Sequence, residues 1–182
     1  MTREPMAGLA VHLTPASQSV TDNDTAGLWI GGRMPGGPDA EPQAPLLHLR
    51  LSPLSTEQLS AELSADAWVG QAIGAPCAAP GDDVGAVLCN LMNIPPSHEE
   101  EFNAWYDTEH MPRLSALPGV ICAGRFKALQ GDPVYAAFYF LADRSVCQSA
   151  LWRETAQTPW TVRIQQYRTD NRRLAFVPLN KT

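Results

Sequence analysis

The sequence predicts an α+β protein built from two related halves in tandem, and two observations carry that prediction. After residue 86 the expected elements follow the order strand, helix, strand, strand, helix, strand. A shift of about 92 residues also aligns the two halves of the chain with the same order of elements. This order is the ferredoxin-like arrangement. We therefore expect tandem ferredoxin-like repeats, with residues 1–85 and 86–182 as the two units.

The two halves share identical residues at matching positions but differ at their first helix. Residues 14–27 leave room for only a remnant of that helix, whereas residues 94–119 hold a complete helical stretch. The first unit is therefore predicted to be degenerate, with a shortened first helix, and the second to be complete. The matching pairs are Gly27 and Gly119, Gly32-Arg33 and Gly124-Arg125, Ala44 and Ala136, Leu49 and Leu141, Leu59 and Leu151, Glu62 and Glu154, and Trp68 and Trp160.

In the first half, short runs of apolar and β-branched residues predict strands. A loop rich in Gly and Pro separates the second strand from the third. Ser55 opens a predicted helix whose leucines lie on one side. The predicted strands are 9–14, 27–34 and 46–51, the helix is 55–63, a further segment holds Trp68 and Ile73, and 74–85 is a linker.

The second half alternates apolar strands with amphipathic helices. Gly131-Asp132-Pro133 predicts a turn between two strands. Thr158 followed by Pro159 is typical of a helix cap and a first helical residue. The predicted strands are 86–94, 120–129, 134–142 and 172–179, and the later helices are 144–154 and 159–168.

Residues 97–119 predict a helix that ends close to a histidine. Ser97 and Glu100 have the spacing of a capping box, so we expect the helix to begin near residue 98. Pro112 lacks an amide proton and is expected to stop or kink the helix, which leaves Glu109 and His110 in its last turn. Apolar residues at spacings of three and four place His110 on or beside the buried face. They are Phe102, Trp105, Tyr106, Met111, Leu114 and Leu117.

Composition excludes several classes of function. The net charge is −6 and the basic residues are scattered, so no patch suits nucleic acid. Arg172-Arg173 is the one adjacent basic pair, and we expect it at a solvated strand edge. No apolar run approaches the roughly 18 residues of a membrane span, and none at the N-terminus has signal-peptide length, which predicts a cytoplasmic protein. The four cysteines lack a Cys-x-x-Cys pair and are expected to be buried and reduced, not metal ligands.

One motif in the second half carries a family resemblance. It reads Glu101-Phe102-Asn103-x-Trp105-Tyr106-Asp107-x-Glu109-His110-Met111-Pro112, with Leu117-Pro118-Gly119, an Arg125-bearing strand and later Thr158-Pro159-Trp160-Thr161-x-Arg163. The pattern resembles the dimeric α+β barrel superfamily and, within it, the EthD-like and related small-molecule proteins. The resemblance covers about residues 86–180. It implies that two ferredoxin-like units pair their sheets into an α+β barrel, which a tandem repeat would form within one chain.

The resemblance also implies a range of activities. They include cofactor-independent oxygenation, lactone isomerisation, polyketide cyclisation and decarboxylation, all of which move a proton on a small apolar, aromatic or enolisable substrate. We therefore expect a cofactor-independent lyase, isomerase or cyclase. The alternatives are a non-catalytic binding protein for an aromatic metabolite and a cofactor-free monooxygenase. Other α+β barrels bind haem, but no supporting motif indicates it here, so no cofactor or metal is expected. A homodimer is a further arrangement that the resemblance implies.

Histidine accepts and returns protons near neutrality, and a position at a helix C-terminus would favour its charged form. We expect His110 to act as general acid or base, with Glu109 orienting it. Tyr106 would donate a hydrogen bond to a carbonyl or enolate, and Arg125 would hold a carboxylate or oxyanion. Structural readings stay open, because His110 can cap the helix and Arg125 can form an ion pair. The predicted substrate-binding residues are Trp105, Asn90, Phe102 and Trp160.

Overall fold

Eight antiparallel strands close into a barrel in the computed structural model, which describes residues 4–17, 28–34, 42–62 and 67–179. Their positions follow the predicted strands closely, and the segment that holds Trp68 and Ile73 is a strand. The strands are β1 Gly8–Pro15, β2 Leu28–Arg33, β3 Gln43–Leu54, β4 Trp68–Ile73, β5 Ala86–Asn93, β6 Val120–Gln130, β7 Tyr135–Leu141 and β8 Thr169–Pro178.

The order of strands around the barrel reveals two units of four. The first unit has the order β4-β1-β3-β2, and the second has the corresponding order β8-β5-β7-β6. The units join where β2 pairs with β8 and where β4 pairs with β6. The predicted fold class, tandem ferredoxin-like repeats forming an α+β barrel within one chain, is confirmed.

Strand register also follows the sequence repeat over part of its length. Gly31 pairs with Leu47 in the first unit, and at the shifted positions Ala123 pairs with Tyr139 in the second. This correspondence indicates that the two hairpins are built alike.

The sequence repeat does not hold at its last matching pair. Trp68 lies in β4, whereas Trp160 lies in a helix, so their identity does not reflect equivalent positions. The division at residues 85 and 86 stays a prediction. The shortened first helix was predicted within residues 14–27, and residues 18–27 lie outside the described part of the chain.

Alternating side chains along the strands form two layers of core. On β7, Phe138 and Phe140 point into the barrel, while Tyr135 and Tyr139 point outward beneath the helices. Fully buried rings fill much of the barrel interior, so the cavities described below lie outside it. The inward-facing aromatic residues are Trp29, Phe126, Phe138, Phe140 and Phe176.

The helices cover the outer face of the sheet, most extensively in the second unit. The longest helical stretch runs from residue 99 to residue 115 and includes a π-helical turn at Tyr106–His110. Single 3₁₀ turns lie at Pro96–His98 and Arg144–Gln148. The α-helices are α1 Thr56–Glu62, α2 Glu99–Trp105, α3 Met111–Ser115, α4 Ala150–Ala156 and α5 Pro159–Gln165.

Two expectations about the helix predicted over residues 97–119 were wrong, namely its cap at Ser97 and its end at Pro112. Ser97 does not cap it, because α2 has no side-chain cap and the Ser97 hydroxyl contacts His98 Nδ1 instead. Pro112 does not end it either. The π-helical turn accommodates Pro112, which has no amide proton. Met111 N–H donates to the carbonyl of Tyr106, and Pro112 then occupies the first turn of α3. His110 therefore lies inside a continuous helical segment and not at its end.

The predicted helix at 144–154 is divided into two pieces. Asp143 caps the 3₁₀ turn, and the Ser149 hydroxyl accepts from Trp152 N–H to cap α4. The predicted cap at Thr158 is confirmed, because its hydroxyl accepts from Thr161 N–H.

The expectation of reduced cysteines was wrong for one pair. Cys77 and Cys122 form a disulfide with Cα atoms 6.0 Å apart, which ties the segment after β4 to β6. Cys89 and Cys147 are free and buried, as predicted. No helix among the described residues is long and apolar enough to cross a membrane.

Candidate functional site

The His110 side chain is buried between the helices and the sheet of the second unit, and two aromatic side chains contact its ring. The imidazole stacks on Trp105 at a centroid distance of 4.2 Å and an interplanar angle of 30°. Tyr106 meets it edge-on, with centroids 5.3 Å apart. The His110 side chain is buried, and no described side chain forms a hydrogen bond with it. These contacts fix the ring plane and leave its nitrogens available to a ligand.

His110 lines a cavity of about 130 Å³ between the helices and the outer face of β5 and β8. The wall combines amide, guanidinium and phenol groups with a few apolar side chains. Asn90 and Arg173 pair directly across β5 and β8, so their side chains share the face that borders the cavity. We call this space the polar cavity. Its lining residues are Asn90, Tyr106, His110, Leu114, Trp152, Ala156, Thr161, Gln165, Arg168, Asn171 and Arg173.

The electrostatic surroundings keep His110 neutral. Burial is the main cause of a pKa lowered to about 3, and Arg168, Arg125 and Arg113 lower it further. The expectation that the helix dipole favours the charged form was therefore wrong. The helix continues past His110, so the ring does not lie at a helix C-terminus, and the charges of three arginines repel a proton.

Several polar atoms around this cavity lack hydrogen-bond partners. The Tyr139 hydroxyl and Arg168 Nε are buried without a partner among the described residues. Tyr106 donates only to the Met92 thioether, a weak acceptor 3.8 Å away. Burial raises the pKa of Tyr106 and of Tyr139, so both phenols remain protonated donors at neutral pH. A buried donor without a partner costs free energy, and such atoms mark places where a ligand or water would bind.

Arg125 does not line the polar cavity and has its own partners. Its guanidinium donates to Asp107 at 2.7 Å and to Asn103 at 2.6 Å, and it lies over the ring of Tyr106 at 4.3 Å. Arg125 borders a second cavity of about 390 Å³, which is mainly apolar and lies on another side of the helical stretch. These contacts support the structural reading of Arg125.

The remaining predicted site residues act mostly in packing. Trp105 is fully buried and donates to the Thr161 hydroxyl at 3.2 Å. Glu109 accepts a hydrogen bond from Thr158 and does not contact the imidazole through a hydrogen bond. Phe102 is buried beneath the helix, and neither Glu109, Phe102 nor Trp160 lines the polar cavity.

Trp160 anchors the outside of the helices instead. Its indole N–H donates to Glu101 at 3.2 Å, and Glu101 also pairs with Arg163. This contact ties α5 to α2. The structure thus brings His110, Tyr106 and Asn90 together at one cavity, and the other predicted residues do not line it, although Trp105, Phe102 and Arg125 contact His110 or Tyr106.

Sequence reasoning missed the two arginines of the polar cavity. The adjacent pair Arg172-Arg173 was expected to be solvated, and this is wrong for Arg173, which lines the cavity, while Arg172 is exposed. Alternation along β8 was the available signal, because successive strand residues point to opposite faces. Arg168 precedes β8 in the connection from α5, and no motif distinguishes it.

The residues around His110 do not fit a haem. The polar cavity is far smaller than the macrocycle, and the imidazole is stacked flat on Trp105. Within the described ranges, no group of three or more His, Cys, Asp or Glu side chains forms a metal site.

Comparison with known proteins shows a shared fold at low sequence identity. No protein family model and no curated protein matches the chain. A monooxygenase-like protein from Listeria innocua is similar, with a TM-score of 0.57, 10% identity and coverage of 98% of this chain and 96% of that one. A ferredoxin-fold protein from Listeria monocytogenes, related to antibiotic biosynthesis monooxygenases, has a TM-score of 0.51, 10% identity and 96% coverage of both chains.

A third solved structure, of a major regulator of staphylococcal pathogenesis, has a TM-score of 0.56 and 8% identity over 94% of this chain and 99% of that one. The shared fold is the ferredoxin-like α+β barrel. These neighbours show the fold expected from the sequence, whereas membership of the superfamily and the EthD-like assignment stay predictions. Because a regulator has the same fold, function must be argued from the site.

Proposed function

We propose that this chain is a small-molecule enzyme in which His110 moves a proton on an enolisable or phenolic substrate without a cofactor. The observation that carries the proposal is a neutral, buried imidazole that faces a polar cavity together with Tyr106, Asn90 and Arg168. A neutral imidazole can accept a proton, and the stacked Trp105 ring holds it in one orientation.

The charges around the cavity favour a substrate anion. Arg168 and the neighbouring arginines that disfavour a proton on free His110 would stabilise an enolate or phenolate. Proton transfer from a neutral substrate to His110 creates one negative and one positive charge side by side. The imidazolium is then paired, so its pKa rises towards the ordinary value as the anion forms.

The Tyr106 phenol can complete the site as a hydrogen-bond donor. Tyr106 lines the cavity and has only a thioether as its present acceptor. Its hydroxyl would donate to the developing oxyanion. From the same anion, an isomerase would return the proton at another carbon, a lyase would expel a leaving group β to the anionic carbon and pass it the proton, and a cyclase would close a ring by attack on a carbonyl carbon of the same substrate, whose oxygen takes the proton.

A hydrogen exchange experiment tests the proton transfer directly. Acetoacetate and methyl acetoacetate are incubated in deuterium oxide with the protein, and loss of the proton between the carbonyl groups is followed by proton NMR. We expect the protein to accelerate exchange of at least one probe and His110→Gln to abolish the acceleration. Ser115→Ala is the matched control on α3, outside the polar cavity. Equal exchange with and without wild-type protein would overturn the proposal, and binding without exchange would indicate a binding protein.

A cofactor-free monooxygenase is the second candidate, favoured by the likeness to proteins described as monooxygenase-like or related to monooxygenases. Deprotonation by His110 would give a carbanion that transfers electrons to dioxygen. A methylene group and O₂ then yield a ketone and water, which needs no external reductant. Oxygen consumption coupled to loss of an activated methylene substrate, and its absence in His110→Gln, would support this candidate over an isomerase or lyase.

A further inference from the structure

We propose that the polar cavity recognises a carboxylate on its substrate and that Arg168 is the residue that binds it. This inference names the substrate class of the site and rests on the function proposed above. It is carried by a lining that contains two guanidinium groups and, among the described residues, no acidic side chain.

Arg168 has an unfilled hydrogen-bonding position. Its Nε–H is buried without a partner, although a guanidinium presents its donors as a fork that matches the two oxygens of a carboxylate. Burial of such a donor is costly unless a ligand accepts from it. A bound carboxylate would remove that cost and neutralise the guanidinium at once.

Acidic side chains near this region are engaged elsewhere. Glu109 accepts from Thr158, and Asp170, two residues after Arg168, accepts from Asn93. Asp143, before the 3₁₀ turn, accepts from Ser145 N–H. Arg168 forms no ion pair with any of these three carboxylates, which leaves its charge for a ligand.

A second guanidinium and two amide side chains surround the same space and suit a small anion. Arg173 donates one N–H to the Cys147 carbonyl at 3.0 Å and borders the cavity with Asn90 and Asn171. A volume of about 130 Å³ admits a reacting group of a few heavy atoms, below the roughly 300 Å³ of drug-sized sites. A short acid with its enolisable carbon next to the carboxylate would place that carbon near His110.

Binding of matched probes tests the carboxylate. Calorimetric titration compares acetoacetate with its uncharged methyl ester, and inorganic phosphate is added as a competing anion. We expect acetoacetate to bind at least about tenfold more tightly than the ester, because one charge-assisted pair contributes that much. We expect Arg168→Gln to remove the preference, and Arg172→Gln, which removes the same charge at an exposed position, to retain it.

The outcomes separate this inference from the proton-transfer function. Equal binding of acid and ester, or tighter binding of phosphate than of acetoacetate, overturns the carboxylate assignment even if exchange is catalysed. Preference for the acid without catalysed exchange supports the carboxylate site and contradicts the enzyme. Arg168→Lys tests the fork geometry, since it keeps the charge, and a full preference in this variant would overturn the role of the guanidinium. Circular dichroism and thermal unfolding confirm that each variant is folded.

Discussion

The buried His110 should make the fold less stable as the pH falls, and His110→Gln should remove that dependence. The pKa is about 3 in the folded protein, whereas an unfolded histidine has a pKa of about 6.5. Between these values the unfolded state binds one more proton than the folded state. The free energy of unfolding therefore decreases as pH falls from about 6.5, by up to about 1.4 kcal/mol per pH unit.

Between pH 6.5 and pH 4.5 this contribution amounts to about 2 kcal/mol. Urea denaturation followed by tryptophan fluorescence measures it at pH 4.5, 5.5, 6.5 and 7.5 for wild type and His110→Gln. Other titrating groups act on both proteins, so the difference between the two curves isolates His110. The free energy of unfolding of the wild type minus that of His110→Gln should be constant above pH 7. It should decrease as the pH falls, since the wild type loses more stability. Parallel loss of stability in both proteins would refute a buried, neutral His110.

Four further substitutions test contacts in the second unit. Tyr139→Phe should raise the free energy of unfolding by about 1 kcal/mol, because it removes a buried hydroxyl without a partner. Tyr135→Phe on the same strand face should lower the free energy of unfolding by about 1 kcal/mol, because it removes a hydrogen bond to Glu99. Thr158→Ala should cost about 1 kcal/mol through loss of the helix cap, as urea denaturation would show. Asp107→Asn should lower thermal stability by a few degrees, because buried Arg125 loses its charged partner; an unchanged melting temperature would contradict this.

The fold was predictable because it depends on patterns that repeat along the chain. Alternating strands and the Thr158 cap are local signals, and each appears where it was expected. The barrel itself required the family resemblance, since strand periodicity does not state which edges meet. The pairs β2 with β8 and β4 with β6 join residues far apart in sequence.

The candidate site was predictable only in part, for physical reasons. His110 and Tyr106 share one helical stretch, so spacing alone placed them together. Asn90 was suggested because it is polar within an apolar strand. Arg168 and Arg173 reach the cavity because α5, β8 and the helical stretch of residues 99–115 meet there. No local sequence pattern encodes such tertiary contacts. The pKa of His110 was misjudged for the same reason, since burial and the charges of three arginines lower it and the helix does not end at this residue.

The two units differ in what lies between the sheet and the helices. Beneath α1, the outer face of the first unit's sheet is packed with Ala10, Leu54 and Val69, and Leu59 covers them. A buried histidine does not distinguish the units, because His48 on β3 is also buried and its Nδ1 has no partner among the described residues. The layer beneath the helices of the second unit adds two phenols and parts of two arginines to His110, and their desolvation costs stability. This combination, and not the histidine alone, favours a ligand that compensates for their burial.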